Sequence, residues 1–206
     1  MRGNAPFHLG TVVAVLAVAQ LILIIGSWMV NAVWPDTGVR PLLSSEGVRW
    51  FFGHFSDMVG TPPMVWLLLL GIAYGVVRRS RVCRSHRATA RRSFALIVVI
   101  AELVAFVALM ALMAFMPHAL LLSASGTLFP SSFSDSVIPY MALAATVMGA
   151  TYGLISGTLP SLKSLFHAAV HGISIVAPLL LTGVFAAQFV FSLLYVFAPH
   201  IPFSRM

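Results

Sequence analysis

The chain has 206 residues, 60% of them hydrophobic and only 8% charged, with twelve Lys and Arg against five Asp and Glu. Soluble domains are about a quarter charged, so a mean hydropathy of +0.99 excludes a soluble enzyme, a disordered tail and a disulfide-stapled secreted module. The single cysteine, Cys83, closes no intramolecular disulfide, and the net charge of +7 is concentrated where a membrane topology puts it.

Crossing a bilayer takes about 20 apolar residues in helical form. The first segment that qualifies is residues 11–33. It has a basic start at Arg2, as a signal peptide does, but its apolar run of about 23 residues exceeds the usual 7–15 of a cleaved signal, so a retained span is expected. The following loop has Val48, Phe51, Phe52, Phe55 and Val59 at helical spacing, opposite Arg49, Gly53, His54, Ser56 and Asp57. This pattern predicts an amphipathic helix near 45–59, capped by Ser44 or Ser45. Its apolar face either lies in the membrane interface with Trp50 at headgroup depth or packs on the protein's own helices.

The second span, 62–77, opens at Pro62-Pro63, and the third, 93–115, is interrupted only by Glu102. The fourth covers 137–156. A second amphipathic stretch near 161–171 leads into the fifth, 172–197, where Pro178 is expected to kink the helix or delay its start. The predicted fold is an all-α integral membrane protein of five spans, one polytopic domain over 1–206.

Charge placement sets the orientation. Arg78, Arg79, Arg81, Arg84, Arg87, Arg91 and Arg92 crowd the connection between spans two and three, and Arg2 and Lys163 share that side. The opposite side holds Arg40, Arg49 and Arg205 with Asp36, Glu46, Asp57 and Asp135. The positive-inside rule makes the arginine side cytoplasmic, with the N-terminus inside and the C-terminus outside a bacterial inner membrane. Anionic membrane lipid is the expected partner of the arginines. No aromatic interleaving or nucleic-acid motif accompanies them, so no nucleic-acid partner is expected.

Two stretches echo one another. LLSSEG at 42–47 matches LLSASG at 121–126, and GIAYG at 71–75 matches GATYG at 149–153. Each pair runs from an outer loop through a proline into an inward-going helix, as in parallel repeats of two helical hairpins. Gly71 and Gly75 form a small-xxx-small pair, and Gly149, Gly153 and Gly157 extend the pattern. Small residues let helix backbones approach closely, either within the chain or in a homodimer or with a second membrane subunit.

Few residues carry chemistry. Glu102 is the one carboxylate well inside a span, where a charge costs a few kcal/mol unless it faces a partner or a water-filled cavity, or is neutral. Glu102, Gln188 and Gln20 are the candidate substrate or proton pathway; Asn31, Thr146 and Thr182 read as interhelical glue. His167 and His171 share a helical face but lack a third ligand in reach, so no metal and no cofactor are expected. The seven histidines fall in loops or at helix ends, which argues against a His-ligated redox protein. No catalytic residues are assigned, because paired carboxylates, a nucleophile elbow and a phosphate loop are all missing, and an enzyme is not expected.

The stretch VRPLLSSEGVRWFFGHFSDMVGTPPMVWLLLLGIAYGVVRRS resembles the N-terminal region of the AbgT family, the p-aminobenzoyl-glutamate transporters. There a V-R-x-L-L-S-x-E-G-x-R-W outer loop leads into a helix rich in leucine and glycine. A later stretch is similar to a second family segment through Val137 and Pro139, Tyr152-Gly153, Gly157-Thr158 and Phe185-Ala186-Ala187-Gln188-Phe189. The family's longer transporters carry two re-entrant hairpins that build the substrate site, and these have no counterpart here. The resemblance therefore implies a shortened relative that keeps the spanning helices. Its implied function is transport of p-aminobenzoyl-glutamate-like or other small organic solutes, the alternative being a non-transporting scaffold or accessory subunit.

Overall fold

A computed structural model describes residues 5–82, 90–115 and 132–198. Among these residues the chain is helical, without strands: α1 (Ala5–Val33), α2 (Ser45–Gly53), α3 (Phe55–Val59), α4 (Pro62–Ser80), α5 (Ala90–Phe115), α6 (Ser132–Ser156) and α7 (Leu162–Phe197). Five of them, α1 and α4 to α7, are long and apolar enough to cross a membrane, and they fall on the five expected segments. Pro62 and Pro63 open α4, where the first turn's missing amide donors cost nothing.

The second amphipathic stretch is not a separate element. Residues 161–171 and the fifth span form one helix of 36 residues, about 54 Å long at 1.5 Å per residue. Ser161 and Ser164 cap its start by exchanging backbone-to-hydroxyl bonds of 3.2 Å each, and the sequence from there to Pro178 holds no stop signal. Pro178 lies inside the unbroken helix, and the Thr182 hydroxyl donates to its carbonyl at 2.8 Å.

The described residues divide into two compact units, one of 5–64 with 177–198, the other of the described residues between 65 and 176. In the first, the outer loop is stapled to α1. Ser27 Oγ accepts from the Leu42 amide at 3.3 Å and donates to the Ile24 carbonyl at 3.0 Å, and Asn31 Nδ2 donates to the Val39 carbonyl at 3.1 Å. Leu42, Tyr195 and Val196 form its core, with Leu23, Ile24, Val39 and Trp50 packed around them.

The helix expected over 45–59 is broken at His54 into α2 and α3, and its expected apolar stripe is only partly covered. Phe51 and Val59 are half-buried, with Gly47 and Met58 fully buried, whereas Val48, Phe52 and Phe55 stay uncovered, Phe52 at 74% exposure. Trp50 is half-buried. Its ring stacks on Tyr195.

In the second unit, α4 crosses the N-terminal half of α7 at backbone contact. A Cβ on Gly75 would lie 2.6 Å from the Gly172 amide nitrogen and also against the Ala168 carbonyl, and a Cβ on Gly172 would strike the backbone of Gly71. Gly149 brings α6 against Val76 and Val77 of α4. Gly157 does not extend that packing stripe. It ends α6 in the left-handed conformation, φ 79°, which glycine adopts without steric cost. The chain then folds back so that the Leu159 amide donates to the Gly153 carbonyl at 2.9 Å. The Leu159 side chain covers Gly153 and is buried with Val76 and Ala168.

Candidate functional site

The polar residues inside the spans form two hydrogen-bonded pairs, one in each unit. On α5, Glu102 Oε1 accepts from the Thr151 hydroxyl of α6 at 2.8 Å. Its second oxygen, Oε2, is buried without a partner. The two helices are held in register by Tyr140, whose hydroxyl donates to the Phe106 carbonyl at 2.8 Å with the rings edge to face at 5.6 Å. The Glu102 partner is thus a hydroxyl of a neighbouring helix. A half-satisfied carboxylate in an apolar span is costly as an anion. As a neutral acid it has a proton to donate from the buried oxygen.

On α1, Gln20 Nε2 donates to the hydroxyl of Ser192, a fully buried serine on α7, at 2.9 Å, and Gln20 Oε1 is buried without a partner. Gln188, one turn before Ser192, is half-buried and makes no hydrogen bond among the described residues. Thr146 and Thr182 do not bridge helices. Each hydroxyl returns to the carbonyl four residues back in its own helix, at 2.7 and 2.8 Å, satisfying the group locally as threonine does in apolar helices.

An apolar cleft of about 520 Å³ opens between α5 and α6. Phe106, Met110, Tyr140 and Met148 are among its walls, and neither Glu102 nor Thr151 lines it. A second cleft, about 510 Å³, lies at the other end of the unit and is lined by Arg78, Arg79, Arg81, Thr158 and His171.

The described arginines are less a loop than a set of helix ends. Arg78 and Arg79 occupy the last turn of α4, where cations complement the helix dipole. Arg91 and Arg92 lie in the first turn of α5, and Arg91 Nε donates to the Ile155 carbonyl at the end of α6. Arg84 and Arg87 fall outside the described residues, as does the second copy of the repeated outer loop, 121–126. Among the described residues no group of three or more His, Cys, Asp and Glu is placed to hold a metal.

Sequence reasoning missed Thr151 and Ser192, the partners of the half-buried Glu102 and Gln20, and Gly172, the partner of the α4 glycines. Gly172 stands one helical turn after Ala168, a small-xxx-small spacing visible in the sequence.

No family model and no curated protein sequence matches the chain. A solved structure does: the YdaH transporter of Alcanivorax borkumensis, with a TM-score of 0.70 and 15% sequence identity, over 90% of this chain and 70% of that one. YdaH is an AbgT-family transporter. The likeness is one of fold: this chain is a multi-pass helical membrane protein built on the architecture of that transporter.

Proposed function

We propose that this protein works in the transport of a small organic solute across the bacterial inner membrane, with p-aminobenzoyl-glutamate-like amides as the first class to test, and that Glu102 is its proton-coupling group. The observation that carries the reading is the Glu102–Thr151 pair, a carboxylate with one oxygen satisfied and one buried oxygen free, within a fold shared with a transporter. An acid within a span that gains and loses a proton is a means of coupling solute movement to a proton gradient.

The orientation has the N-terminus cytoplasmic and the C-terminus periplasmic. It is supported by Arg78, Arg79, Arg81, Arg91, Arg92 and Lys163 at the ends of α4, α5 and α7 that share one side, with Asp36, Glu46 and Asp57 at the other. The uncovered Val48, Phe52 and Phe55 of α2 and α3 then rest in the outer membrane interface. A scaffold or accessory subunit shares every packing contact and differs only at Glu102, which would be a fixed neutral donor. Uptake into liposomes of p-aminobenzoyl-glutamate under an imposed proton gradient tests the reading. A phosphatase fused at the C-terminus and a cytoplasmic reporter at Arg81 test the orientation, and the converse pattern overturns it.

A further inference from the structure

The arginine-lined cleft has a charge imbalance that the described residues do not resolve. Arg78, Arg79 and Arg81 meet Thr158 and His171 around a space of about 510 Å³. Of the chain's five acids, the four whose side chains are described, Asp36, Glu46, Asp57 and Glu102, do not line it. The carbonyl ends of α4 and α6 point to this region. Each contributes about half a negative charge, together about one elementary charge against three guanidinium groups.

Those helix ends are also occupied. The Ser80 carbonyl accepts from Thr158 Oγ1 at 3.0 Å, and Thr158 is held in turn against Ser156 at 3.1 Å. Arg78 is braced by the Tyr74 hydroxyl at 2.6 Å, with its guanidinium 5.7 Å over that ring. Arg81 is the only non-glycine residue with positive φ among those described, at 58°. Glycine would fill that turn at no steric cost, whereas a side chain there costs about 1 kcal/mol or more. The turn therefore holds a third guanidinium at the cleft at some expense to the backbone.

We propose that this cleft is a binding site for the phosphate group of an anionic phospholipid in the adjoining leaflet. Guanidinium forks match phosphate oxygens bidentately, and basic pockets between transmembrane helices take anionic headgroups. The site is independent of transport, and its occupant would bridge the end of α4 and the N-terminal half of α7. Free phosphate has the same chemistry but lacks the acyl chains that would place it beside exposed helix surface.

The test uses the full chain purified in mild detergent, followed by native mass spectrometry and thermal melting. It is titrated separately with phosphatidylglycerol, with phosphatidylcholine and with inorganic phosphate. Phosphatidylglycerol is expected to remain bound in discrete one-lipid steps and to raise the melting temperature, with phosphatidylcholine and inorganic phosphate doing neither. Arg79→Gln and Arg81→Gln should each weaken retention about fivefold, as one basic contact near an anionic headgroup is worth. Lys163→Gln removes the same charge from the same side outside the cleft and should leave retention unchanged. Arg81→Gly relieves the backbone strain and should raise intrinsic stability while still losing the lipid, which separates a binding defect from a folding defect. Equal losses in Lys163→Gln and Arg81→Gln, or saturation by inorganic phosphate alone, would overturn the site. Orientation in the cell does not enter this measurement, and it can fail while transport stands.

Discussion

Trp50 lies flat on Tyr195, ring centroids 4.2 Å apart and planes 24° from parallel. Arg40 places its guanidinium 5.9 Å from the same tyrosine ring, and its amide donates to the Val196 carbonyl at 3.3 Å, near the open end of α7. Between these two contacts Leu42, Ser44 and Gly47 of the outer-loop motif each have a task. Leu42 is buried in the core, and Ser44 caps α2 by accepting from the Gly47 amide at 3.0 Å. Gly47 sits against the carbonyl oxygens of Pro41 and Leu42, each 2.6 Å from where a Cβ would be. The motif that carries the family resemblance is thus a latch that fastens the outer loop to the last helix. Its conspicuous residues do structural work.

The latch predicts an asymmetry between two glycines of one helix. Gly47→Ala forces a methyl into backbone oxygens that cannot move aside, and should cost about 1–3 kcal/mol, the usual range for overpacking. Gly53→Ala has nothing within 4 Å and should be neutral or slightly stabilising, because alanine loses less entropy in a helix. Thermal melts of both variants in the same detergent check the pair.

The stacked pair should show coupling. Trp50→Ala, Tyr195→Ala and the double variant should give an interaction energy of about 0.5–1.5 kcal/mol, typical of aromatic pairs beyond their buried area. Strict additivity would mean that the rings touch without contributing.

At the crossing of α4 and α7, Gly75→Ala and Gly172→Ala should each destabilise by about 1–3 kcal/mol. Gly26→Ala, on an open face of α1, should not. Because Gly71 and Gly75 are filled from within the chain, these variants should lower the melting temperature without changing any oligomer seen by light scattering in detergent. Dissociation of a dimer at unchanged stability would place the glycines at a subunit interface instead.

The spans were legible because an apolar run of bilayer length has few alternatives in water or lipid; Pro62 and Pro63 marked the start of α4, whereas Pro139, expected at a span edge, lies inside α6. What each helix face touches was not. Periodicity marked Val48, Phe51, Phe52, Phe55 and Val59 as one stripe, but in a membrane an apolar stripe is as well satisfied by lipid as by protein, and the structure half-buries Phe51 and Val59 while Val48, Phe52 and Phe55 stay exposed. The same ambiguity hid Thr151 and Ser192, since a hydroxyl in an apolar helix can satisfy itself on its own backbone, as Thr146 does, or reach across to Glu102, as Thr151 does. Gly157 belonged to the glycine spacing but sits one residue past the end of α6, where its backbone angle matters more than its size.

Thr151→Val removes the one donor to Glu102 and leaves both carboxylate oxygens without a partner. It should cost about 1–3 kcal/mol, the penalty for stranding a buried polar group. Combining it with Glu102→Leu should recover most of that loss, because no polar group is then left unpaired. Failure of the double variant to recover stability would mean that Glu102 is solvated in some other way.

The most direct test of the central claim is uptake of radiolabelled p-aminobenzoyl-glutamate into proteoliposomes under an inward proton gradient, with wild type beside Glu102→Gln. The glutamine keeps the shape and hydrogen-bonding capacity of the neutral acid and should melt within a few degrees of wild type. The account predicts gradient-driven uptake by the wild type and its loss in the well-folded Glu102→Gln protein. Uptake that persists undiminished in Glu102→Gln, or a wild-type protein that binds lipid and melts cooperatively yet moves no solute, would contradict it.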